Sequence, residues 1–249
     1  MTDLSPIANP GSRIPSFSPI REFALKALLW LPLSFVVWFV LAPLWVLPAV
    51  LLAKQVLLGF WGGLFTDVVR GGEILDAAGR VIARADYLVT LTTTVTVTVP
   101  PGPDGPGGVG VLEPTINPMV YAYSLPLFAG LAMATPLSTA RRLMQFAAAL
   151  AVIWVALAFG IVAESLKTVA MGAGESGAAA AARAGLAPNA IALAYQFGYL
   201  ILPAVVPVAL WIGLNRRFIE LLVRPAGEPA AAGEGPIADR PGDRAGVEK

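Results

Sequence analysis

Glu164 and Lys167 stand three residues apart, a spacing that on a helix sets a carboxylate beside an ammonium. An ionisable residue at the edge of an apolar span is a functional candidate by default. A solvated Glu–Lys pair, by contrast, contributes about 0–1 kcal/mol when exposed and needs no function. A two-carboxylate catalyst requires a second acid in the same protected site, and the other acids fall in connections and tails. Ser165 lies two residues from Lys167, on a different helix face, which argues against a serine–lysine nucleophile. The chain has no Cys and no His, which excludes a thiolate, an imidazole base, a Ser/His/Asp triad and a Cys/His metal site. It contains neither a GxSxG motif nor a phosphate-binding loop of the GxxxxGK type. The expectation is a protein that is not an enzyme and carries no cofactor.

Two clusters combine polar and aromatic side chains. Asn117-Pro118-Met119-Val120-Tyr121-Ala122-Tyr123-Ser124-Leu125-Pro126 opens one apolar run, and a proline near a helix start fits its entry. Tyr195-Gln196-Phe197-Gly198-Tyr199 lies in the outer third of another. Tyrosines at a membrane interface can be an aromatic belt and nothing more, but an amide in hydrocarbon wants an interhelical partner. Asn117, Tyr121, Tyr123, Glu164, Tyr195, Gln196 and Tyr199 are therefore the candidate helix–helix or partner contacts. The preferred reading joins the second and fourth spans through them.

Helices must position these residues. Of the 249 residues 57% are AVILMFWYC and 13% are charged, with a mean hydropathy of +0.73, against about 25% charged in soluble domains. The net charge of +1 leaves no basic surface for nucleic acid. Three windows lack charge altogether: 27 residues between Lys26 and Lys54, 27 between Glu113 and Arg141, and 32 between Arg183 and Arg216. The first would reach about 40 Å as a helix, more than the roughly 30 Å hydrocarbon core, and Pro32, Pro43 and Pro48 should bend it. It also exceeds the roughly 7–15 apolar residues of a signal peptide, so a retained anchor is expected. The pattern predicts a mainly α membrane fold with four transmembrane helices, over about 27–53, 118–137, 143–163 and 190–214. Pro203 and Pro207 should kink the last, their freed carbonyls satisfied by neighbouring helices.

Orientation follows from Lys and Arg in the short connections. Arg141 and Arg142 fill a tight link, Arg216, Arg217 and Arg224 follow the last span, and Arg13, Arg21 and Lys26 precede the first. Both termini are expected in the cytoplasm of a multi-pass bacterial inner-membrane protein, with residues 1–23 a cytoplasmic segment, 24–222 the membrane domain and 223–249 a disordered cytoplasmic tail. On the opposite side, residues 87–99 read YLVTLTTTVTVTV, a period of two built from β-branched residues. A small antiparallel β insert of three or four strands is expected over about 70–113, with 56–69 an interfacial helix or an extension of the first span. The insert reads equally as a docking surface for a partner or as a cap over helix ends.

Asn117-Pro118 with Tyr121-Ala122-Tyr123-Ser124-Leu125-Pro126-Leu127, the run from Ala190 through Tyr195-Gln196-Phe197-Gly198-Tyr199 to Pro203, and Leu214-Asn215-Arg216 together resemble the exosortase H-associated membrane protein family, over roughly residues 24–222. The resemblance implies company with exosortases, polytopic transpeptidase-like enzymes that process C-terminal sorting signals with a Cys, an Arg and a His. Lacking Cys and His, this chain would be a helper in protein sorting or surface attachment, its partners the lipid bilayer and an exosortase or its sorted substrates. The alternative is a small membrane transport or permease component, with Gln196, Glu164 and the Pro203/Pro207 kink lining a path. Four spans without an evident repeat leave little room for one.

Overall fold

Where no water can pair with the backbone, an apolar run must close its hydrogen bonds within itself, and the charge-free windows of this chain do so as helices. The structure, a computed structural model, describes residues 18–76, 79–99 and 107–223. The tail expected from 223 onward, except Val223 itself, lies outside the described residues, as does most of the N-terminal segment.

Helix α1 spans Pro19–Val40 and α2 Ala42–Trp61. The single long first span is thus two helices joined through Leu41, with Pro43 in the first turn of α2, where its missing N–H costs no bond. The two barely touch: α1 lies against α3 (Ser124–Ala134), and α2 against α4 (Thr139–Gly172). The second expected span is also different. Its helix α3 has 11 residues, about 17 Å of rise, preceded by a 3₁₀ turn over Pro118–Val120. By contrast α4 has 34 residues, about 51 Å, and outlasts the expected 143–163 at both ends. After α5 (Gly174–Arg183), helices α6 (Pro188–Gln196) and α7 (Leu202–Leu214) join through a π-helical turn over Phe197–Ile201, and α8 covers Arg216–Val223. Among the described residues, four helices are long and apolar enough to cross a membrane: α1, α2, α4 and the continuous Pro188–Leu214. The number is the expected one, but two of the four divide the expected first span.

The sheet begins earlier than its alternation indicates. β1 (Phe65–Leu75) starts four residues after α2 ends and pairs antiparallel with β2 (Val81–Thr93), which also carries β5 (Thr115–Ile116). Only the first part of the expected 56–69 helix is therefore helical. At Thr94 and Val95 the alternating run leaves this sheet, and β3 (Thr96–Val99) forms a second, two-stranded sheet with β4 (Gly108–Val111). The crossing is fixed by side chains: Thr93 Oγ1 donates to Leu112 O at 2.7 Å and accepts from Val95 N. Gly71, at φ +104°, takes the left-handed bulge of β1 that an L side chain would strain.

Two cores result. One joins the sheet (Val68, Val89, Leu91) to the α2 stripe Val46, Ala49, Val50, Ala53, Leu57 and the later half of α4. The other packs Leu125, Phe128 and Ala132 of α3 against Ala149 and Ile153 of α4. Small residues at these faces let backbones approach. At one end of the bundle Phe23 stacks on Trp211 at 5.4 Å and meets Phe218 at 5.5 Å, bringing the starts of α1 and α8 together, while the sheet packs along α2, where Arg70 donates to Pro43 O at 3.0 Å. At the Phe23 end Arg142 reaches Thr135 O at 3.3 Å.

Candidate functional site

Pro207 has no N–H, so the Pro203 carbonyl one turn earlier loses its helical partner. It accepts the hydroxyl of Ser124, the first residue of α3, at 3.0 Å. This bond joins α3 to α7. Just above it, the π-helical turn swings Tyr199 toward the 3₁₀ turn. The Tyr121 and Tyr199 rings stand 5.8 Å apart and the Tyr195 and Tyr199 rings 5.2 Å apart. Gly160 of α4 and Gly198 make this approach possible: a Cβ on Gly160 would lie 2.8 Å from the Tyr121 ring, and one on Gly198 would lie 3.1 Å from Gly160 Cα.

Glu164 lies one turn beyond Gly160, facing the same tyrosines. Its Oε2 and the Tyr121 hydroxyl are both buried, and the two groups are neighbours. Lys167 does not form an ion pair with Glu164; its ammonium lies 4.8 Å from the centre of the Tyr195 ring, a cation–π contact. Ser165 is spent on its own helix, donating to Ile161 O at 2.7 Å. The cluster is therefore one acid, three phenols and one ammonium at the junction of the bundle and the sheet core that Tyr121 shares with Val89 and Leu91. Such a set can hold a charge or a polar contact. It contains no activated nucleophile. Among the described residues, no group of three Asp, Glu, His or Cys converges on a metal position.

The remaining candidates are placed apart from it. Asn117 is exposed and caps the 3₁₀ turn, its Oδ1 accepting from Met119 N at 3.1 Å. Tyr123 is half-buried at the start of α3. Gln196 is exposed and makes no interhelical contact; the amides that do are Gln145 and Asn215. Gln145 Nε2 donates to Asn215 Oδ1 at 3.0 Å and to Leu214 O at 3.2 Å. Asn215 Nδ2 donates to Gln145 Oε1 at 3.2 Å and to Trp211 O at 3.0 Å. Trp211 Nε1 in turn donates to Thr135 Oγ1 at 2.9 Å, so α3, α4 and the α7–α8 corner share one satisfied polar network. Asn215 was visible as part of a motif, but nothing in its spacing names Gln145 as partner.

On the sheet, Lys54 of α2 and Asp67 of β1 form an ion pair at 2.6 Å. Asp67 also accepts from Val68 N at 2.7 Å. The Lys54 hydrogen bond, with the Val68 amide second, holds its carboxyl below the usual range.

The model of a protein family described as exosortase H-associated membrane protein matches residues 17–218. No curated protein and no solved structure matches the chain.

Proposed function

The chain belongs to the exosortase H-associated membrane protein family, and from that premise we propose that it is a non-catalytic accessory of exosortase-dependent protein sorting or surface attachment. It sits in the bacterial inner membrane with both termini in the cytoplasm; α1 crosses to the outside, α2 stays there against β1 and β2, and the sheets lie on the extracytoplasmic side. The observation that carries this reading is that the basic residues of the short connections gather at one end of the bundle, while those of the sheet, Arg80 and Arg84, are paired with Asp76 and Glu73. The ends of the apolar helices that bear Arg21, Lys26, Arg141, Arg142, Arg216 and Arg217 meet at one end of the bundle, through Phe23, Trp211 and Phe218. The sheets pack instead on α2 and the later half of α4. Lys and Arg in short connections favour the cytoplasmic side, which leaves the sheets outside, where sorting signals are processed.

A chain without Cys or His offers no thiolate or imidazole for transpeptidation, so its contribution is contact. Among the described residues β3 and β4 pair only with each other, and with Val109 77% accessible they offer an edge suited to strand addition. Tagged protein isolated from native membranes recovers an exosortase under this reading, and deleting the gene impairs surface attachment of sorted substrates. Repeated isolation without an exosortase, together with normal sorting in the deletion strain, overturns it.

A further inference from the structure

The ends of α1, α3, α4 and α7 meet at Trp211. Its ring stacks on Phe23 of α1 at 5.4 Å, and its Nε1 donates to Oγ1 of Thr135, the residue after α3, at 2.9 Å. Arg142, in the first turn of α4, donates to Thr135 O at 3.3 Å. Less than one turn further along α4, Gln145 bonds to Asn215, the residue that precedes α8. Arg141 and Arg142 precede Gln145 by four and three residues, on its own face of α4. Arg216 and Arg217 follow Asn215 directly. The amide pair therefore draws the basic start of α4 and the basic start of α8 to one corner of the bundle.

This corner holds cations without acids. Elsewhere Lys26 pairs with Glu22, Lys54 with Asp67, Arg80 with Asp76 and Arg84 with Glu73. Among the described residues Arg141, Arg216 and Arg217 have no carboxylate partner, and all three are exposed. Glu220 lies one turn beyond Arg216 yet forms no ion pair with it. Beside the arginines the surface turns apolar: Leu143 and Met144 follow them on α4, Ile212 lies one turn before Arg216, and all three are exposed. Uncompensated guanidinium groups bordering side chains that face hydrocarbon are complementary to an anionic head on an acyl tail. A guanidinium fork matches phosphate oxygens two at a time, and arginines at the headgroup level attract lipids of net negative charge.

We propose that this corner binds the phosphate head of one anionic membrane phospholipid, held by Arg141, Arg216 and Arg217, with its acyl chains along the exposed faces of α4 and α7. The inference is independent of the accessory role and of the side on which the sheets lie. It rests only on the bundle lying in lipid.

The test uses the full chain, stripped of lipid in detergent and titrated with phosphatidylglycerol and with phosphatidylcholine of the same acyl chains. Native mass spectrometry reads the bound fraction. The first phosphatidylglycerol binds about tenfold more tightly than phosphatidylcholine, the scale that one or two arginines set at a charged headgroup. Replacing Arg141→Gln, Arg216→Gln and Arg217→Gln together brings the two lipids to equal affinity. The control Arg80→Gln, Arg84→Gln, Arg183→Gln removes the same charge away from the corner and keeps the preference. If the first triple variant does not fold, each of its single replacements narrows the preference. Equal affinity of the unaltered protein for both lipids overturns the proposal. So does a preference that survives the folded triple variant or all three single replacements, and so does an equal loss in the control, which makes the preference an effect of overall charge.

Discussion

The Gln145–Asn215 pair gives the sharpest energetic test of the fold. Gln145 is 5% exposed and Asn215 1% exposed, and four hydrogen bonds of 3.0–3.2 Å leave both amides satisfied. Replacing Gln145 by Met keeps the volume but strands Asn215 Oδ1; replacing Asn215 by Leu strands Gln145 Oε1. A buried polar atom left unpaired costs about 1–3 kcal/mol, so each single variant should lose that much. Two of the four bonds run between the pair. Interhelical bonds in membranes average about 0.6 kcal/mol and reach about 1.7, which puts the coupling in a double-mutant cycle at about 1–3 kcal/mol. The double variant, with no stranded amide, should therefore be more stable than the two losses added together. Reversible unfolding of the four proteins in detergent or bicelles measures this. A coupling of zero, or a Gln145→Met variant as stable as the original, would refute the reasoning.

Ser124→Ala removes the donor for the Pro203 carbonyl and should cost about 0.6–1.7 kcal/mol. The loss should shrink in a Pro207→Ala background, where a backbone N–H is restored to that carbonyl; equal losses in both backgrounds contradict the proposed bond. Gly177→Ala would drive a Cβ into the Val169 carbonyl at the α4–α5 corner, so the thermal unfolding midpoint should fall, whereas Gly59→Ala, with open space around it, should change little. Asp67 has a lowered folded pKa, so its pair with Lys54 stabilises at neutral pH, and that stability is lost as pH falls from the unfolded value of about 3.9 through the lower folded one. Compared with Asp67→Asn in a pH series of unfolding midpoints, the original protein should hold a small advantage near pH 7. It should surrender that advantage below about pH 4 and lose part of it in high salt, since the carboxylate is 45% exposed.

Much of the architecture was legible because it depends on local pattern. Charge-free windows announce helices, and the threonine–valine alternation announces β2 and β3. The rest depends on partners distant in sequence. Phe65 to Leu75 reads FTDVVRGGEIL, broken by a Gly pair and without clean alternation; it becomes a strand because β2 lies beside it. The 27 uncharged residues after Lys26 hide the break at Leu41, since proline at a first helical turn and proline within a helix look alike until the packing of α1 on α3 and α2 on α4 separates them. In the polar–aromatic site, Tyr121 and Tyr199 stood in the two clusters that the sequence sets apart, but the Ser124 bond to Pro203 O depends on how α3 packs against α7. Gln196 misled because an amide names a need without a direction. Its exposure and the burial of Gln145 are decided by helix rotation, which a uniformly apolar run such as AALAVIW does not record.

The central claim is that the sheets and the basic helix ends lie on opposite sides of the membrane. Because the sequence contains no cysteine, single cysteines report position without background. Val109→Cys in β4 and Leu221→Cys in α8, both exposed in the structure, can be treated in intact spheroplasts with a membrane-impermeant maleimide. The account predicts rapid labelling at 109 and none at 221 until the membrane is permeabilised. Labelling of both positions from the same side would contradict it.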